Sequence, residues 1–67
     1  MKNNVKELRG EKGMTQSELA DELGVSRQTI FAIETSMYVP STVLALKIAK
    51  IFKKKVEDIF ELENKDK

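Results

Sequence analysis

No cysteine and no histidine occur among the 67 residues, and tryptophan is missing too. Without thiols the chain forms no disulfide and offers no thiolate to a metal. Without imidazole it lacks the side chain most used for zinc binding and for proton transfer near neutral pH. Covalent thiol chemistry, His acid/base chemistry and His- or Cys-based metal sites are thereby excluded, and no metal or cofactor is expected. Long apolar runs are also lacking. None exceeds four residues, the length of Val43 to Leu46, whereas about 20 are needed to span a bilayer. The N-terminus has no apolar stretch of signal-peptide type, so a soluble, cytoplasmic chain is expected. One domain over residues 1–67 is the natural reading. Domains this small bury only about 60% of the surface that their unfolded chain exposes. With disulfides and metals excluded, stability must come from tight helix packing or from self-association.

The charges nearly cancel, at +1 overall, but they are unevenly placed. Residues 1–55 carry ten basic against six acidic side chains. In residues 56–67 the acids Glu57, Asp58, Glu61, Glu63 and Asp66 face only Lys65 and Lys67. A mildly basic body therefore precedes an acidic end, expected to lie away from any polyanionic partner.

Apolar spacing and punctuation residues predict five short helices. The first covers about Asn4 to Lys12, with Val5 and Leu8 inward and Gly13 at a left-handed cap position. The second starts at Thr15, where Thr15-Gln16-Ser17-Glu18 has capping-box spacing, and ends at Leu23 before Gly24. Leu19, Ala20 and Leu23 form its buried face, while Asp21 and Glu22 point to solvent. The third opens at the N-cap Ser26 and runs from Arg27 to about Glu34, with Ile30 and Ile33 inward. A Gly-containing turn this short cannot reverse the chain. It holds the two helices at about 90 to 120°, a helix-turn-helix. After a loop from Thr35 to Pro40, Ser41 caps a fourth helix reaching Phe52, and Val56 to Phe60 forms a fifth.

The fourth helix is apolar almost all round: only Lys47 and Lys50 interrupt Val43 to Phe52. Leu44, Ala45, Ile48, Ala49 and Phe52 suit the core. Val43, Leu46 and Ile51 are then left for a second burial against another subunit, or for scattered exposure. Lys53-Lys54-Lys55 ends this helix and reads as a solvated complement to its dipole, the alternative being a basic patch near a polyanionic partner. Phe60-Glu61-Leu62-Glu63 alternates at period two, so the end of the chain is either a strand pairing about Met1–Asn3 with Glu61–Glu63 or a frayed tail. The expected architecture is all-α: a compact five-helix bundle with a core at about residues 4–60. If the strand forms, a small two-stranded antiparallel sheet joins the termini.

The segments Leu8-Arg9-Gly10-Glu11-Lys12-Gly13-Met14-Thr15-Gln16-Ser17-Glu18-Leu19-Ala20, Leu23-Gly24-Val25-Ser26-Arg27-Gln28-Thr29-Ile30 and Ala32-Ile33-Glu34 closely resemble Cro/C1-type (XRE, phage repressor-like) domains. Tyr38, Pro40-Ser41, Leu44 to Lys50 and Glu57 to Phe60 continue the match over about residues 4–60. The resemblance implies a homodimeric transcriptional regulator, a repressor, that lays the third helix of each subunit in successive major grooves of an inverted-repeat operator in double-stranded DNA. In such a groove Arg27 has the reach to pair with guanine O6 and N7, and Gln28 with adenine N6 and N7. Phe31, one turn beyond Arg27, either packs on thymine methyls or covers the loop or a dimer contact. Gln16 is the leading phosphate candidate. Thr15 and Ser26 are caps able to touch phosphate, and Thr29, Thr35, Ser36 and Tyr38 are weaker candidates. Val43, Leu46 and Ile51 are the expected dimer surface. The family's usual Asn-Gly-Lys after Glu34 is here Thr35-Ser36-Met37, so a turn glycine and a base are both missing.

No enzymatic activity is expected, because the carboxylates are assigned to solvent faces and do not converge in a pocket. The alternative function is an antitoxin or protein-interaction module with the same fold and secondary DNA binding, suggested by the missing loop base and the acidic end. A membrane-surface bundle would need a basic amphipathic helix that this chain lacks.

Overall fold

The computed structural model describes all residues, 1–67. Five helices follow one another as α1 (Val5–Glu11), α2 (Gln16–Leu23), α3 (Arg27–Glu34), α4 (Thr42–Phe52) and α5 (Val56–Ile59). Strands β1 (Lys2–Asn3) and β2 (Phe60–Glu61) form a two-stranded antiparallel sheet, and a 3-10 turn spans Asn64–Asp66. No helix is long and apolar enough to cross a membrane.

Local chemistry places the helix ends. Thr15 Oγ1 accepts from the Glu18 amide at 3.0 Å while Glu18 Oε1 accepts from the Thr15 amide at 2.8 Å, so the capping box forms as the spacing predicts. Gly24, at φ 72°, closes α2 in the left-handed region that favours glycine. Ser26 and Ser41 cap α3 and α4 by accepting from Thr29 and Leu44. At α1 the cap position Asn4 makes no side-chain cap bond; Asn3 Oδ1 accepts from the Val5 amide at 3.1 Å instead. Two residues without glycine's freedom also hold left-handed positions, Ser36 after α3 at φ 62° and Lys53 after α4 at φ 55°.

The inward faces meet in a single core. Val5, Leu19, Ile30, Ile33 and Ile48 are fully buried at its centre, and Leu8, Ala20, Leu23, Leu44, Ala49, Phe52, Ile59 and Phe60 surround them. Ala45 and Ile51 are partly buried against that cluster.

The ends of the chain meet as the strand alternative expects, but with a shifted boundary. Lys2 pairs with Glu61 and Asn3 with Phe60. Phe60 therefore leaves α5, which stops at Ile59, and buries its ring as the first residue of β2. A further bond from the Asn4 amide to the Ile59 carbonyl, 3.1 Å, sets this boundary from the N-terminal side. The strand ends before Leu62, which is exposed. The last residues are not frayed: the Met1 amine lies 3.0 Å from both Glu63 Oε1 and Asp66 Oδ2. Asp66 Oδ2 also accepts from the Glu63 amide. These bonds raise the amine's pKa and lower those of both carboxyls.

Candidate nucleic-acid interface

With Ile30 and Ile33 sealed against α2 and the core, α3 turns its opposite face outward. Arg27, Gln28 and Phe31 are all exposed there, the Phe31 ring at 53%. Together with Gln16 at the start of α2 they line a cleft of about 210 Å³. The three base-contact candidates and the leading phosphate candidate thus converge on one surface, although Gln16 is eleven residues from Arg27 in the chain. The remaining candidates are distributed around it. The Thr15 hydroxyl is engaged in its cap, and Ser26 Oγ lies 3.1 Å from Thr29 Oγ1. Thr29 and Tyr38 share a second cleft with Val25, Gln28, Ala32 and Leu44. Ser36 and Thr35 are exposed in the loop, and the Thr35 hydroxyl is spent on the Phe31 carbonyl at 2.8 Å.

Beneath this surface lies a charged pair whose carboxylate, Glu34, is expected from residue type to face solvent. The Glu34 side chain is only 3% exposed. Its Oε2 accepts from Arg9 Nε at 2.7 Å, and its Oε1 accepts from Arg9 Nη2 at 3.3 Å and from Gln16 Nε2 at 3.0 Å. Arg9 Nη1 donates to the Met14 carbonyl at 2.8 Å. The hydrogen bonds to Glu34 raise the Arg9 pKa and keep the guanidinium charged. This is a correction to the expectation that all the carboxylates face water. A signal for it was present: Arg9 follows Val5 by four residues and Glu34 follows Ile30 by four, so each lies on its helix's buried stripe. The network ties α1, the start of α2 and the end of α3 together. It also holds one Gln16 amide hydrogen and leaves the second free.

Other charges lie elsewhere. Lys50, Lys53, Lys54 and Lys55 line a separate cleft with Ala49 and Asp58. The acids Glu57, Asp58, Glu61 and Glu63 line clefts at the ribbon and tail. The ribbon touches α3 where Asn3 Nδ2 donates to the Ile33 carbonyl, at the helix end remote from Arg27. Of the expected dimer residues, Val43 is 64% and Leu46 57% exposed, one turn apart on α4, whereas Ile51 is partly buried in its own subunit.

Two helices set across a Gly turn, with the second sealed behind and presenting Arg27, Gln28 and Phe31 in front, define a helix-turn-helix domain. Residues 5–59 match the family model described as Helix-turn-helix, HTH_3. The chain belongs to this family, the Cro/C1-type helix-turn-helix proteins. It is similar along nearly its whole length to proteins named as uncharacterized HTH-type transcriptional regulators. YgzD of Bacillus subtilis is 54% identical over 66 residues, covering 98% of this chain and 100% of the relative. MJ0272 of Methanocaldococcus jannaschii is 56% identical over 64 residues, covering 96% and 97%. A regulator of Archaeoglobus fulgidus is 42% identical over 66 residues, covering 98% and 94%.

Proposed function

We propose that the chain is a sequence-specific double-stranded DNA-binding repressor that acts as a homodimer on an inverted repeat, with α3 in the major groove. The observation that carries this reading is the shared cleft of Arg27, Gln28, Phe31 and Gln16 on the exposed face of α3. Arg27 reads guanine and Gln28 adenine, each by a bidentate pair. Gln16 grips a phosphate with the amide hydrogen not held by Glu34, aided by the Gln16 and Ser17 backbone amides, which have no acceptor within α2. Hydroxyls of Thr15, Ser26, Thr29, Ser36 and Tyr38 add lesser phosphate contacts. Val43 and Leu46 form the subunit contact, with Ile51 behind them. Half-sites then lie about 34 to 36 Å apart.

Selection of bound duplexes from random DNA, followed by gel shift, tests this. The expected product is a palindromic site. Arg27→Ala or Gln28→Ala then costs about 1 to 3 kcal/mol and relaxes one position, while Gln16→Ala weakens all sequences alike. Failure to shift any duplex at low salt overturns the reading. It would favour the protein-interaction alternative, whose support is the exposed run Met37, Tyr38, Val39 and the lone base, Arg27, in the readout cleft.

A further inference from the structure

Phe31 is the one apolar member of the readout cleft; its companions Gln16, Arg27 and Gln28 are polar. Its ring is 53% exposed, and an aromatic left in water in a chain this small forgoes burial that the core could have used. Two ordinary explanations for that exposure are disfavoured by its surroundings. The cleft beside the loop is lined by Val25, Tyr38 and Leu44 among others but not by Phe31. Val43 and Leu46, the exposed apolar pair of α4, do not line the Phe31 cleft either. The ring faces the same space as Arg27 and Gln28, and Gln16 on the far side is held by Glu34 at 3.0 Å.

In the major groove the apolar feature that a base edge presents is the methyl on C5 of thymine. 5-Methylcytosine carries the same group on the same ring atom, so an apolar wall meets it there too. We propose that the Phe31 cleft is a C5-methyl pocket. It makes the operator half-site one that holds a C5-methylated pyrimidine, and it makes binding respond to cytosine C5 methylation where cytosine replaces that thymine. This rests on the DNA-binding reading above. Position follows from helix geometry. Phe31 lies four residues beyond Arg27, about 6 Å along α3, and base pairs are spaced by about 3.4 Å. The methyl therefore lies within two base pairs of the guanine read by Arg27.

The test uses the selected operator with each thymine replaced in turn by deoxyuridine, which removes the methyl and leaves the hydrogen-bonding edge intact. Burying one methyl group corresponds to about fourfold in affinity, and to about fifteenfold when both half-sites are changed. The wild-type chain should show that loss at one symmetric thymine position. There, a 5-methylcytosine·guanine pair should bind about fourfold better than cytosine·guanine. Phe31→Ala, at an exposed helix position, should fold normally by circular dichroism and bind thymine and deoxyuridine operators alike; Phe31→Leu should restore part of the difference. Specific binding indifferent to the methyl at every position overturns the pocket and leaves the DNA reading standing. So does Phe31→Ala that keeps the full loss. No binding to any duplex overturns both.

Discussion

Replacing Glu34 with Gln keeps the side chain's shape and removes its charge, so it isolates what the buried carboxylate contributes. Glu34 accepts three hydrogen bonds, from Arg9 Nε at 2.7 Å, Arg9 Nη2 at 3.3 Å and Gln16 Nε2 at 3.0 Å. A glutamine has one acceptor oxygen, and its NH₂ must face a donor of Arg9 or Gln16. Removing one partner of a buried pair costs about 3 to 5 kcal/mol, because the other charge is left uncompensated. Arg9 is 15% exposed and keeps the Met14 carbonyl at 2.8 Å, so water and that bond offset part of the loss. The expected destabilisation is about 2 to 4 kcal/mol, which in a domain of this size lowers Tm by at least about 10 °C. Thermal and urea denaturation followed by circular dichroism measure it. The companion variants Arg9→Met, Glu34→Leu and Arg9→Met/Glu34→Leu form a cycle with the parent, and the double variant should be less destabilised than either single one. The deficit should persist in 1 M salt, since the pair is shielded from counterions. A Glu34→Gln protein within about 0.5 kcal/mol of its parent, or single effects that simply add, would refute the argument.

Ser36→Gly and Lys53→Gly should each raise stability by about 0.5 to 1 kcal/mol in urea melts, because each relieves a left-handed residue, at φ 62° and φ 55°. The Met1 clamp should follow pH in a defined window. The amine's raised pKa makes its contribution complete below the unfolded value of 8.0, with loss as pH rises through the folded value. The lowered pKa values of Glu63 and Asp66 make theirs complete above 4.5 and 3.8, with loss as pH falls through the folded values. Amide shifts of Asn64 to Asp66 should therefore be constant between about pH 5 and 8 and move outside it. If Val43 and Leu46 form the proposed subunit contact, Leu46→Glu should yield a monomer in sedimentation velocity and make Tm independent of protein concentration, since the carboxylate would have to be desolvated in that contact.

Where neighbours within a few residues decide the outcome, the chain is readable. The Thr15/Glu18 box, the left-handed Gly24 and the Ser26 and Ser41 caps each involve residues no more than four apart, and all appear where spacing places them. The inward stripes are likewise local, and Ile30, Ile33 and Ile48 are fully buried as read. What escapes is decided across the fold. Phe60 changes from helix to strand because Asn3 pairs opposite it and the Asn4 amide donates to the Ile59 carbonyl, both from the other end of the chain. Glu34 is buried because Arg9 reaches it across 25 positions, which a rule sending carboxylates to water does not anticipate. Asn3 shows both sides of this: its Oδ1 caps α1 locally while its Nδ2 reaches the Ile33 carbonyl. The readout cleft is intermediate. Arg27, Gln28 and Phe31 follow from periodicity, but their meeting with Gln16 depends on the angle between α2 and α3.

The ribbon that joins Lys2 to Glu61 also sets an order of events in time. Closing a loop of nearly the whole chain costs about 3 to 4 kcal/mol in chain entropy, repaid only once the helices have already brought the ends near. The α2–α3 pair, linked by Gly24, Val25 and Ser26, carries no such cost and can assemble early. The ribbon is therefore the last piece to form and the first to open, and its amides should exchange with solvent through local opening while those of α2 and α3 wait for global unfolding. Because Asn3 holds the far end of α3, at Ile33, that opening loosens the last turn of the helix and leaves the turn bearing Arg27 and Gln28 in place.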